Sequence, residues 1–185
     1  MRIIAGTWRG RTLFAPEGTG TRPTSARARE ALFSMLASRL ADAHGRGFDG
    51  LRVADLFAGT GALGLEALSR GGAHCTFIER DAAALHLLKR NIDALGANAD
   101  VMPRDAARPG TARAPCHLVF VDPPYDQGLT APTLRALTDG HWFAPGALIA
   151  VETSRAESVE VEGLETLTTR IYGKARIALL RAAQG

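Results

Sequence analysis

Apolar residues recur along the chain with two periods, and the switch between them predicts most of the elements. Residues 1–18 alternate loosely around Gly6 and Gly10, with Ile3, Ile4, Leu13 and Phe14 as apolar members, which predicts a β-hairpin or a pair of short strands. From Ser25 to Leu40 the apolar positions Ala28, Leu32, Met35, Leu36 and Leu40 fall at helical spacing. The stretch ADAHGRGFDG then reads as a loop and as the boundary between an N-terminal segment, 1–45, and the main fold, 46–185. Beyond it, β and α patterns alternate. LRVADLF is a buried strand, followed by the loop AGTG and a helix through Leu68, and CTFIE is a second strand. Asp81 can cap a helix whose stripe is Leu85, Leu88, Ile92 and Leu95 and which Gly96 ends. ADVM and HLVFVD are further strands, a helix follows Pro132, and GALIAVE is a fifth long strand. The tail from Leu164 to Leu180 reads as two antiparallel strands joined around Tyr172-Gly173. Repeated βα units imply a mostly parallel sheet with helices on both faces.

Composition narrows the class without naming a function. The chain has 185 residues, 46% hydrophobic and 22% charged, as an ordinary globular domain has. No run approaches the roughly 20 apolar residues of a membrane span, and MRIIAGTWRGR lacks the apolar core of a signal peptide. Cys75 and Cys116 show no metal-ligand spacing, nor do His44, His74, His86, His117 and His141. A cytoplasmic protein with no metal and no membrane partner is expected. Net charge is only +3, yet residues 1–39 hold Arg2, Arg9, Arg11, Arg22, Arg27, Arg29 and Arg39 against Glu17 and Glu30. That imbalance suggests contact with a polyanion, although a solvated arginine-rich edge fits as well.

Two loops carry candidate chemistry. Gly59-Thr60-Gly61-Ala62-Leu63-Gly64 matches G-x-G-x-x-G between a strand and a helix, and Glu79 follows at the end of the next strand, where a carboxylate can accept from both hydroxyls of a ribose. A nicotinamide or flavin dinucleotide and S-adenosylmethionine both fit this arrangement. The second loop, FVDPPYDQG, separates them. Neither Pro123 nor Pro124 can donate to a ladder, so the strand stops with Asp122 at its tip and Tyr125 a fixed distance beyond. The exocyclic amine of a nucleobase is a poor nucleophile because its lone pair is delocalised into the ring. Asp122 and the Pro123 carbonyl can accept from that NH₂ and aim the lone pair at a methyl donor, while Tyr125 stacks on the base. Hydride transfer has no evident need for such a loop.

The stretches MRIIAGTWRGRTL, RPTSARAREALFSML, DLFAGTGALGLEALSRGG, FIERD, VFVDPPY and IYGKARI occur in an order that resembles the RsmD family of small-subunit ribosomal RNA guanine-N2 methyltransferases, of the Rossmann-like class I fold. The resemblance covers nearly the whole chain. It implies an α/β fold with a seven-stranded sheet whose last strand is antiparallel. By the same resemblance, Asp55, Gly59 and Gly61 border the aminoacyl part of S-adenosylmethionine and Glu79 its ribose. Asp105, in MPRDA, meets the adenine amine, although spacing alone equally allows a loop-starting aspartate. Asp122, Pro123 and Tyr125 form the catalytic loop. Trp8, Arg9, Arg11, Arg22, Arg27 and Arg29 would then grip 16S ribosomal RNA, free or in an assembling 30S particle, around an extruded base. Trp8 fits a strand residue packed on the domain equally well. A monomer is expected. The rival readings are an adenine-N6 methyltransferase on RNA or DNA, a non-catalytic RNA-binding module, and a dehydrogenase.

Overall fold

The alternation of buried side chains sorts every central strand onto two faces of one sheet. The computed structural model describes residues 1–16, 23–45, 47–125 and 127–184, with backbone only for 23–25 and 42–44. Its elements are α1 (Pro23–His44), β1 (Arg52–Leu56), α2 (Ala62–Ser69), β2 (His74–Glu79), α3 (Ala82–Leu95), β3 (Ala99–Pro103), β4 (Cys116–Val121), α4 (Thr130–Asp139), β5 (Phe143–Ser154), β6 (Leu164–Tyr172) and β7 (Ala175–Ala182). The strand order is β3-β2-β1-β4-β5-β7-β6, with β7 antiparallel to both of its neighbours. On one face Val53, Phe77, Leu118 and Phe120 join α1, α2 and α3 in a first core. On the other, Ala54, Leu56, Ile78, Val119 and Val121 pack with Leu134 and Leu137 of α4. With both faces covered, the parallel strands can be apolar almost throughout, which is why they read as continuous runs.

The helix boundaries follow local chemistry. Asp81 lies in extended backbone and its Oδ1 accepts from Ala84 N at 2.8 Å, and Gly96 closes α3 at φ 62°, both as the sequence predicts. Helix α1 is longer than the predicted 25–40. It begins at Pro23, whose missing N–H is harmless in a first turn, and it runs through Ala41 to His44. Helix α4 starts at Thr130, with Pro132 inside its first turn for the same reason. Strand β5 begins three residues before the predicted Gly146, and a register shift between Cys116 and Leu118 of β4 absorbs the extra length.

The predicted N-terminal hairpin forms as a short pair: Arg2 bridges Thr12, and Ile3 N donates to Arg11 O, Gly10 N to Ile3 O and Leu13 N to Met1 O at 2.8–3.0 Å. Its turn docks on α2. Ile4 N and Ala5 N donate to the two oxygens of Glu66 at 2.7 and 3.0 Å, and Thr7 N and Trp8 N donate to Ser69 O and Oγ. Gly6 touches the same turn of α2 so closely that a Cβ would lie 1.7 Å from Ser69 O. Ile3, Leu13, Leu32, Phe33, Leu36 and Leu40 share one core with the sheet, so these described parts of the N-terminal segment pack into the main fold. Glu66 is fully buried and is held by Arg70 Nε at 2.8 Å, and the Arg70 guanidinium lies 4.8 Å from the centre of the Phe33 ring. Glu66→Ala therefore strands two N–H groups and one cation. It is expected to destabilise the fold by about 3–5 kcal/mol in denaturant unfolding, and a loss under about 1 kcal/mol would remove Glu66 as the docking point.

Candidate active site

Register sets the site. Leu56 of β1 pairs with Ile78 of β2 and with Val121 of β4, and Val121 pairs in turn with Val151 of β5. One residue further on, Glu79, Phe57, Asp122 and Glu152 stand in a row at the carboxyl edge of the parallel strands, where open α/β sheets bind ligands. All four line a cleft of about 600 Å³, together with Pro123, Pro124, Tyr125 and Leu129 after β4 and with Arg80 and Asp81 after β2.

The glycine loop lies beside this row and is tied down at three points. Glu79 Oε2 accepts from Gly59 N at 2.8 Å, Asp55 Oδ2 accepts from Gly64 N at 2.9 Å, and Asn91 Nδ2 donates to Thr60 O at 2.9 Å. Gly61 has φ 84°, and a Cβ there would sit 2.5 Å from the Leu88 side chain, so the turn and the packing both require glycine. Gly59 faces open space, with no protein atom within 4 Å of where its Cβ would be. Asn91, 1% exposed, also exchanges bonds with Phe14 N and O, which joins the N-terminal segment to the glycine loop through one side chain.

The carboxylates differ in what holds them. Glu79 accepts from Gly59, Arg80 and Asp81 N–H groups at 2.7–2.8 Å. A carboxylate has about four acceptor positions, so one is left, on Oε2. Asp55 is buried beneath the loop. Burial raises its pKa to about 7, against the bond from Gly64 N and with a further upward push from the Glu79 charge. Asp122 keeps a partial opening to the cleft but is otherwise packed in protein. Burial first, then the charges of Glu152 and Asp55, hold its carboxyl well above the usual range. The Tyr125 hydroxyl donates to Glu152 Oε1, and 39% of Tyr125 is exposed.

Of the residues singled out in the sequence, Glu79, Asp122, Pro123 and Tyr125 come together in the cleft, and Asp55, Gly59 and Gly61 lie behind its wall. Asp105 is adjacent to it: its Oδ1 accepts from Ala107 N, and its Oδ2 is 3.7 Å from Arg80 Nη1. Trp8 packs against the core. Arg9 and Arg27 are exposed, and Arg11 is exposed with one bond to Ala94 O at 2.9 Å. Arg29 turns inward, donating to Arg2 O at 2.7 Å, and burial lowers its pKa while Glu66 raises it. Arg22 lies outside the described residues. Sequence reasoning passed over Glu152, Phe57, Asn91 and Glu66. For Glu152 a signal was present, because GALIAVE ends on a carboxylate as HLVFVD does.

The family model described as conserved hypothetical protein 95 matches residues 1–181. The chain is 46% identical over 158 residues to the ribosomal RNA small subunit methyltransferase D of Escherichia coli (strain K12), covering 83% of this chain and 74% of that one. To the protein of the same name in Haemophilus influenzae it is 35% identical over 161 residues, covering 84% and 79%. The solved structure of the Escherichia coli protein yhhF superposes with a TM-score of 0.83 at 38% identity, over 100% of this chain and 99% of that one. The Thermus thermophilus 16S rRNA N2 G1207 methyltransferase RsmC, solved with AdoMet and guanosine, gives a TM-score of 0.67 at 20% identity, over 90% of this chain and 44% of that one. The last likeness is one of fold.

Asp55 makes stability depend on pH. Its pKa is about 7 when folded and near the ordinary 3.8 when unfolded, so its contribution is full below about pH 4 and is lost as pH rises towards 7. Asn at position 55 keeps an acceptor for Gly64 N and does not titrate. Asp55→Asn is expected to gain about 2–4 kcal/mol on the wild type between about pH 4 and pH 8, read from guanidinium unfolding at both. An unchanged difference would show that Asp55 is ionised throughout.

Proposed function

The chain belongs to the RsmD family of methyltransferases, and we propose that it transfers a methyl group from S-adenosylmethionine to the exocyclic N2 amine of a guanine in small-subunit ribosomal RNA. The observation that carries this reading is the row itself: a carboxylate ahead of two prolines and an exposed aromatic ring, one strand away from the glycine loop and facing the same cleft as Glu79.

The donor fits the residues present. Glu79 keeps one acceptor position for a ribose hydroxyl, and a second hydroxyl displaces one of its backbone N–H partners. Gly59 leaves the loop backbone open to close approach, and Asp55 holds that loop from behind. Bound there, S-adenosylmethionine supplies an electrophilic methyl group on a sulfonium. The rest belongs to this chain. Asp122, when ionised, and the Pro123 carbonyl accept from the target NH₂, turning its lone pair out of the ring plane. The proton released from nitrogen passes to Asp122, whose raised pKa makes it a stronger base than an ordinary aspartate. Tyr125 provides the stacking face. Pro123 and Pro124 fix Asp122 and Tyr125 in relation to one another. Arg9, Arg11 and Arg27 bind phosphates, whereas Arg29 anchors Arg2.

Asp122→Ala removes a group that acts mainly as charge builds on nitrogen. It should lower single-turnover methylation of ribosomal RNA or 30S particles by about 100-fold or more, with S-adenosylmethionine affinity within a few-fold of wild type. Near-normal turnover would reduce the loop to a turn. Replacing Arg9 and Arg27 together by alanine should weaken RNA binding and lower the slope of log affinity against log salt by about 0.7–0.9 for each phosphate no longer neutralised. An unchanged slope would make these arginines ordinary surface.

A further inference from the structure

We infer that Glu152 is the residue by which this cleft selects guanine, accepting the base's N1–H while Asp122 takes the adjacent N2 amine. The inference rests on the methyltransferase reading of the site and adds the element that decides which base is methylated.

The geometry comes from register. Val121 pairs with Val151, so Asp122, just after β4, and Glu152, within β5, stand at the same level, and both line the cleft with Tyr125. With Asp122 ionised, as the proposed reaction requires, the carboxylate pair presents acceptors to the base edge. Nucleobase edges differ in what they offer such a pair. Guanine presents N1–H beside N2–H₂, which are donors on adjacent atoms. Adenine presents N6–H₂ beside the bare lone pair of N1, and cytosine presents N4–H₂ beside that of N3. With either of these, one carboxylate accepts while its neighbour faces a lone pair and loses hydration without gaining a partner. Asp122 alone orients any exocyclic amine, and it takes the second carboxylate to distinguish guanine.

The Tyr125 hydroxyl supports this placement. It donates to Glu152 Oε1, so the ring that stacks on the base and the carboxylate that meets the base edge are held to each other. Glu152 also has a structural alternative, in which holding Tyr125 is its whole role. The experiment separates the two by chemistry.

2-Aminopurine keeps the N2 amine of guanine but has a lone pair at N1. The methylated position is first mapped by mass spectrometry on 16S ribosomal RNA treated with wild-type protein. RNA with guanine or 2-aminopurine at that position is then made by ligation, reconstituted into 30S particles and offered to wild type, Glu152→Gln and Tyr125→Phe under single turnover. Wild type should prefer guanine by about 100-fold or more. Glutamine can donate its NH₂ to a lone pair at N1, so Glu152→Gln should reduce the preference to about 10-fold or less, by raising the 2-aminopurine rate relative to guanine. Tyr125→Phe should keep the wild-type preference, since it cuts the tether and leaves the carboxylate. A preference unchanged in Glu152→Gln, whether both rates hold or both fall together, overturns the inference and leaves the guanine reading standing. Loss of preference in Tyr125→Phe as large as in Glu152→Gln overturns it in favour of the tether. A wild type that methylates no guanine, or methylates adenine instead, overturns the functional reading and this inference with it.

Discussion

Parallel register places the residues after Ile78, Val121 and Val151 at one level, which brings Glu79, Asp122 and Glu152 into one row, with Asp55 buried just behind and β5 running on to Ser154. The site consequently gathers negative charge, and the Arg80 guanidinium that lines the cleft lies against Asp105. The carboxylates of the row and Asp55 take donors of other kinds. Backbone N–H groups from three residues satisfy Glu79, Gly64 N satisfies Asp55, and a phenol hydroxyl satisfies one oxygen of Glu152. Burial and two like charges act on Asp122 in the same direction and hold its pKa well above the usual range.

The glycine loop owes its shape to the same bonds. Two of its three ties are to carboxylates of the site, and the third, Asn91, also holds the backbone of Phe14. Helix α2, which begins at the loop, ends at the Glu66–Arg70 turn that docks Ile4, Ala5, Thr7 and Trp8. The basic N-terminal segment is thus fixed at both ends of α2 and placed relative to the cleft by buried hydrogen bonds. Rigid placement of this kind is what an enzyme acting on a large polyanion requires, because phosphate contacts position the chain while the cleft reads one base.

What could be read from the sequence was what depends on local chemistry. The strands, Asp81 and Gly96 at the ends of α3, the glycine loop, and Asp122 ahead of its prolines declare themselves within a few residues. The antiparallel tail was legible because Tyr172-Gly173 marks a turn between two alternating runs. Residues whose meaning comes from distant partners were not legible. Glu66 reads as a polar position on a short helix, yet it is fully buried and serves a backbone more than 60 residues away. Asn91 lies in a helical stripe and gives no local sign that it joins two loops. The hairpin itself was legible in the alternation. Alternation does not say that Ile4 and Ala5, at its turn, donate to a helix side chain. Arg29 was counted as a surface cation because charge counts carry no direction, whereas its guanidinium turns back to Arg2.

The two prolines can now be weighed as a mechanical part. Two full charges at the roughly 5 Å that separates neighbouring strands repel by about 3 kcal/mol at an effective dielectric of 20. That is enough to swing a carboxylate on an ordinary loop away from its neighbour, and a flexible loop after β4 would relieve the strain by moving Asp122 out of the row. Pro123 and Pro124 have φ fixed by their rings, and Pro123 is buried, so the chain beyond Asp122 has few ways to yield. With movement blocked, burial first and then the repulsion are expressed as proton affinity: Asp122 keeps a proton to higher pH than an aspartate in water. A group that holds its proton more tightly also accepts one more readily from an amine losing it. On the proposed mechanism, the turn that places Asp122 is also what keeps it buried beside Glu152, so loosening the turn would weaken both its placement and its basicity.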